Sequence, residues 1–303
     1  MAFLFTLIVI GYVLAKLKVI PDNTSAVLAK LENMIFIPAL VLGTFMGSFT
    51  VEKISSAWKL LLFSSVLTLV MAVIAVFTAR ICSRDSFVRK IYTYGLSFSN
   101  FGFVGNAVVM ALFPDIFVDY LLFTLPLWIL IYLWGVPVLL IPEGEGAKKG
   151  IASRLRSFVN PMFVCMLIGM ILGLSGIGTY LPKWFTSVVD TAGSCMSPIA
   201  MLLTGITVSS ISLKKTFTSL GIYAVSIIRL LVYPLAFIAI MKLFPSLDNT
   251  IYVCAVCSLA MPLGLNTIVI PSAYGKDPTV ASGMAVISHL LSCITIPLVF
   301  MLI

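Results

Sequence analysis

Ser99-Asn100-Phe101-Gly102-Phe103-Val104-Gly105-Asn106 has a counterpart 160 residues on, Leu259-Ala260-Met261-Pro262-Leu263-Gly264-Leu265-Asn266. Each stretch sits inside a long apolar run and ends on an asparagine. Glycine tolerates non-helical dihedrals, and proline removes a backbone donor. An apolar segment interrupted in this way predicts a helix that unwinds near Gly102 and near Pro262. Backbone unwound at membrane depth is tolerated only where protein buries it or water reaches it. The same offset relates Pro38 to Pro198, Thr44 to Thr204 and Pro137 to Pro297, which predicts a chain built from two copies of one unit.

The composition says what surrounds those breaks. The chain has 303 residues, 61% of them hydrophobic and 10% charged. A soluble domain carries about 25% charged residues, so the solvent here is lipid. Stretches near the roughly 20 residues that cross a bilayer recur along the whole chain. Ten spans are expected: 2–15, 26–49, 57–81, 91–113, 116–141, 158–174, 184–209, 217–244, 250–274 and 279–303. The first is short, so Lys16 and Lys18 snorkel, the bilayer thins, or the chain begins late. The polar stretch from Glu143 to Ser157 reads as a linker between a first five-helix repeat, 1–142, and a second, 158–303.

Basic residues set the orientation. Arg80, Arg84, Arg89 and Lys90 lie in the third loop, and Lys148, Lys149, Arg154 and Arg156 in the linker. Even-numbered loops hold only Lys53, Lys59, Lys183 and Lys242. Odd loops are therefore expected in the cytoplasm and both termini outside. Five spans per half is an odd number, so the second copy enters the membrane inverted. The expected fold is all-α and integral to the membrane, with ten transmembrane helices in two inverted repeats. Helices four and nine are broken.

Net charge is +8, yet no basic face of any size exists outside the spans, which argues against nucleic acid. The six cysteines read as small packing residues, and one histidine rules out a multi-histidine zinc site. No cofactor and no metal is expected. No phosphate-cradling glycine-lysine motif suggests nucleotide hydrolysis, and the reading is not an enzyme.

If spans four and nine both unwind, the second half-helices begin near Asn106 and Asn266 and meet at the midplane from opposite sides. A helix N-terminus carries about half a positive charge and free amide donors, which suits a carboxylate. Asn106 and Asn266 are the leading candidates for substrate binding. Gly102, Gly105, Pro262, Gly264 and Thr267 shape the breaks, and Asn100 is a cavity candidate. Ser97 and Ser99 either face that cavity or bond to helix backbone. The bland alternative is two kinked helices packed through glycine.

Arg229 lies about twelve residues into span eight, roughly 18 Å deep. The spans are read as free of aspartate, so Arg229 should face water, carbonyls or an anionic substrate. The same lack removes the paired carboxylates of cation antiporters. His289 is a candidate for proton coupling, or a hydrogen-bonded packing residue beside Ser288. Glu32 and Asn33 are expected near the membrane interface.

Several stretches together resemble the auxin efflux carrier family. They are Asn33–Phe45 (NMIFIPALVLGTF), Ser99–Phe113 (SNFGFVGNAVVMALF), Met261–Tyr274 (MPLGLNTIVIPSAY), and the GKDPTVASG and SHLLSCITIPL segments of Gly275–Pro297. The resemblance runs the length of the chain. It implies kinship in fold with bile-acid sodium symporters and sodium/proton antiporters, with spans four and nine crossing. It implies a mobile transport domain of spans three to five and eight to ten. Spans one, two, six and seven would be a scaffold that often forms a homodimer. Movement would be elevator-like. The substrates it implies are organic anions, and its crossover residues fall on Asn106, Asn266 and Pro262. The chain departs from the family pattern at Gly102, where a proline can stand nearby, and in its short first span.

The expected function is thus secondary transport of a small mono- or dicarboxylate across the cell membrane, with anion and lipid as the partners. A sodium-coupled symporter of bile-acid type and a non-transporting membrane sensor are the alternatives. An intramembrane hydrolase would need paired aspartates or a serine–histidine couple.

Overall fold

The computed structural model describes residues 2–141, 159–209, 220–243, 247–264, 266–273, 276–277 and 279–303. The 143–157 linker lies outside them, as do Lys214 and Lys215. The described residues are helical throughout, apart from turns and one isolated backbone bridge. In chain order the helices are α1 (Ala2–Lys16), α2 (Thr24–Ser48), α3 (Val51–Cys82), α4 (Ser86–Ser97), α5 (Phe101–Leu112) and α6 (Pro114–Leu140). Then come α7 (Pro161–Ser175), α8 (Lys183–Ser209), α9 (Leu220–Met241), α10 (Asn249–Leu259), α11 (Asn266–Ala273) and α12 (Thr279–Phe300). Six of them, α2, α3, α6, α8, α9 and α12, are long and apolar enough to cross a membrane.

The caps explain several starts. Asp85 accepts from the Val88 amide at 2.8 Å to open α4, and Asp248 accepts from the Thr250 amide at 2.9 Å to open α10. Asn160 does the same for α7 through the Phe163 amide. Gly176, in the left-handed conformation at φ 69°, closes α7.

Many large apolar side chains point outward. Leu62, Val66, Leu69, Val73 and Phe77 recur at helical spacing along α3 and are all more than half exposed, while Leu60, Ala75 and Ala79 on the same helix are buried. In water such a stripe would be a liability; in hydrocarbon it is the expected surface.

The chain divides into two compact units, each drawing on both halves of the sequence. The first contains Met1–Lys59, Asn106–Leu122 and the described part of Arg156–Ser210. Within it α1 packs along α8, and the later part of α2 packs on α7 and α8. Glycine lets these backbones touch. A Cβ on Gly205 would collide with the Ile8 carbonyl and the Tyr12 amide, and one on Gly173 would meet the Phe45 and Phe49 carbonyls. Close approach through small residues is how helices associate where lipid supplies no hydrophobic drive.

The second unit contains Leu60–Gly105, Ile211–Ile303 and Phe123–Leu155, again in their described parts. Here α9 packs on α10, α12 and α4, and α11 packs on α12, α4 and the Ile131–Leu140 turns of α6.

The expectation of aspartate-free spans is corrected. Asp119 lies in the first turn of α6's α-helical part, and Asp190 lies in α8. Glu32 is a further acid within an apolar helix. It is fully buried on a π-turn of α2, and among the described residues neither carboxylate oxygen has a hydrogen-bond partner. These acids stand in helices that are otherwise apolar, so span-level hydropathy averages them away.

Candidate functional site

The two interruptions pair with each other. Helix α4 ends at Ser97, and Phe98 turns extended at φ −124°, ψ 114°. Ser99 and Leu263 then form an antiparallel bridge, and the Asn100 amide donates to the Pro262 carbonyl at 2.7 Å. Proline suits that position because it needs to offer only its carbonyl. The break at span four falls on 98–100, earlier than Gly102. Gly102 and Gly105 sit inside the π-turns that open α5, where the Gly105 amide donates to the Asn100 carbonyl at 2.9 Å. The half-helix thus resumes at Phe101 rather than near Asn106. Gly102 has a packing reason: a Cβ there would lie 2.9 Å from the Trp128 ring, itself wedged between Phe101 and Tyr132.

On the other side α10 ends at Leu259, and α11 opens at Asn266. The Asn266 amide donates to the Tyr94 hydroxyl at 3.0 Å. The Thr267 hydroxyl donates to the Gly264 carbonyl at 2.9 Å and closes the turn before α11. Among the described residues other than its chain neighbours, a Gly264 Cβ would meet the Ser99 carbonyl first, at 3.6 Å.

Side chains from α9 and α12 lock the crossing. Arg229, on a π-turn of α9 and 1% exposed, donates through one nitrogen to the Leu96 carbonyl and through another to the Ser258 carbonyl, each at 3.0 Å. Leu96 is in the last turn of α4 and Ser258 in the last turn of α10. Ser99 also donates to the Ser258 carbonyl, at 2.8 Å. From α12, the Ser288 hydroxyl accepts from the Leu263 amide at 3.2 Å. His289 bonds on both sides: Nδ1 lies 2.7 Å from the Ala285 carbonyl and Nε2 lies 3.3 Å from the Asn100 amide nitrogen. A carbonyl only accepts, so Nδ1 carries the proton and Nε2 accepts from Asn100.

The second unit therefore brings together Asn100, Gly102, Gly105, Pro262, Gly264, Asn266, Thr267, Arg229 and His289. Asn106 belongs with the first unit. It is buried and begins the regular α-helical part of α5, and the next residue's carbonyl accepts from Ser197 of α8 at 3.2 Å. Sequence reasoning missed Tyr94 and the Leu96 and Ser258 carbonyls, and placed Ser288 only as the neighbour of His289. The carbonyls were reachable in principle, because they lie one turn before each break, where helices leave acceptors unpaired.

The first unit holds a cleft of about 540 Å³, lined in part by Thr44, Ser48, Lys53, Asp115, Asp190 and Ser194. Lys53 pairs with Asp119 at 2.5 Å.

Comparison with known families decides what such a chain is. The family described as membrane transport protein matches residues 1–300. The chain belongs to that family. It is the family of the auxin efflux carriers that the crossover motifs resemble. A comparison with curated proteins finds no match. As a family member the chain is a multi-pass membrane transporter.

Proposed function

We propose that the protein is a secondary carrier of small organic anions, mono- or dicarboxylates, in the cell membrane. One observation carries the charge assignment. Four half-helix ends meet at the paired interruptions, two C-terminal and two N-terminal. Each C-terminal end carries about half a negative charge and each N-terminal end about half a positive charge. Arg229 already answers both C-terminal ends. The N-terminal ends of α5 and α11 are the part of the crossing left to attract an anion. Asn266, Thr267, Gly264, Pro262 and Asn100 frame one such end, Gly102 and Gly105 the other, and Asn106 follows it.

On this reading the ten crossings are α1, α2, α3, broken α4–α5, α6, α7, α8, α9, broken α10–α11 and α12. They form two inverted five-helix repeats, with the 143–157 linker in the cytoplasm and both termini outside. Both interruptions precede an asparagine at the 160-residue offset, which supports the repeat. The grouping of α3 from Leu60 onward with α4, α9, α10, α11 and α12, apart from α1, α2, α7 and α8, supports an elevator in which the α9–α12 set moves. The α1, α2, α7 and α8 set would supply the homodimer contact. Arg229 and His289 act in this reading by holding the crossing.

The test is uptake into proteoliposomes of labelled mono- and dicarboxylates, with and without proton and sodium gradients. Saturable carboxylate uptake is expected, and its loss in Asn106→Ala and Asn266→Ala while folding and insertion persist. Full uptake by both variants refutes the site. Uptake of organic cations instead of carboxylates refutes the charge assignment.

A further inference from the structure

The C-terminal side of the crossing has a chemistry of its own. The Leu96 and Ser258 carbonyls converge on Arg229, and a small cavity of about 10 Å³ adjoins the same group. Ser97, Thr68, Arg229 and Ser258 line it. The hydroxyls of Ser97 and Thr68 are buried, with 5% and 6% of each residue exposed, and among the described residues neither has a hydrogen-bond partner. A separate water needs roughly 10–15 Å³, so the cavity has little room beside the guanidinium. Two carbonyls at helix C-terminal ends thus hold one positive charge, and two buried hydroxyls line the cavity beside it.

Oxygens in that combination bind hard monovalent cations. In secondary transporters, unwound carbonyls and half-helix C-terminal ends coordinate sodium. Two such ends sum to about one negative charge, and one guanidinium balances them. We propose that this niche is a monovalent-cation site whose occupant is the protein's own Arg229, tethered in place by α9. The built-in charge holds the two first half-helices together in the absence of any free cation. Removing it uncovers a site for sodium or for a small organic cation.

The experiment measures thermal unfolding of the purified protein in detergent, as NaCl replaces choline chloride at constant ionic strength. It needs no substrate, so its failure is separable from failure of the transport reading. Wild type is expected to show no saturable response to sodium. Arg229→Ala and the milder Arg229→Gln are expected to lose several degrees of Tm. They should then regain part of that loss along a saturable curve with sodium, or with guanidinium at millimolar concentration. Adding Ser97→Ala to Arg229→Gln should weaken the rescue several-fold. Saturable sodium stabilisation of wild type overturns the proposal. So does a folded Arg229→Gln that is indifferent to sodium, potassium, lithium and guanidinium alike. If Arg229→Ala does not fold, Arg229→Gln and the wild-type titration decide the matter.

Discussion

Lys53 and Asp119 join the start of α3 to the start of α6 within the first unit, and truncating them should have unequal consequences. The side chain of Asp119 is 5% exposed and that of Lys53 is 33% exposed. At 2.5 Å and an effective dielectric near 20, the gross attraction is about 6–7 kcal/mol. Most of that is cancelled by desolvating the carboxylate and by water at the lysine. Removing Lys53 leaves a buried carboxylate without its counter-charge, a loss of about 3–5 kcal/mol for a fully buried pair. The exposure of Lys53 and the favourable position of Asp119 in a helix's first turn bring this to about 2–3 kcal/mol. Removing Asp119 leaves a lysine that can reach water, so Asp119→Asn should cost only about 1 kcal/mol. The double variant Lys53→Met/Asp119→Asn should resemble Asp119→Asn alone, with a coupling energy of about 2–3 kcal/mol. Reversible unfolding in mixed SDS micelles, run as a double-mutant cycle, reads these values. Equal losses from the two single variants, or a coupling under about 0.5 kcal/mol, would refute the reasoning.

Gly205→Ala should destabilise by about 1–3 kcal/mol, because the new methyl meets backbone on α1 that cannot rotate away. Gly264→Ala, with only ordinary contacts around its Cβ, should melt within a few degrees of wild type; the same thermal scan compares them. Glu32→Gln should leave stability unchanged or raise it. Both oxygens lack partners, so the carboxylate pays for burial without return, and a fall of several degrees in Tm would show an interaction that the geometry lacks. Ser99→Ala should lose about 1 kcal/mol or less, because the Ser258 carbonyl keeps its bond from Arg229. A larger loss in chemical unfolding would mean that the hydroxyl holds the crossing by itself.

The breaks were legible in the sequence because glycine, proline and asparagine are costly in apolar helices and recur at one offset. Their depth was not. Gly102 looked like the hinge, yet the chain extends at Phe98–Asn100 and turns helical again under Trp128. Bridging of Asn100 and Ser99 to Pro262 and Leu263 is backbone chemistry, and backbone partners leave no residue-type signature. Arg229 stood out as a mid-span charge, and carbonyls were among the partners foreseen for it. Which carbonyls could be named only once both helix ends were located. Asp119 and Asp190 were overlooked for the opposite reason: each stands in a long, mostly apolar helix, and hydropathy reports the helix, not the acid.

The cleft of the first unit bears on the charge of the cargo. Its single lysine already faces Asp119, and Asp115 and Asp190 add negative charge to the wall. Taken alone, that cleft is a poor anion trap, since an entering carboxylate would meet two acids and a lysine already paired. On the proposed carrier reading, discrimination in favour of an anion has to come from the crossing, where one arginine answers both negative helix ends. Neutralising the cleft by Asp115→Asn and Asp190→Asn should therefore raise the rate of carboxylate uptake without changing which carboxylate is preferred. A change of preference in those variants would move the selecting site from the crossing to the cleft.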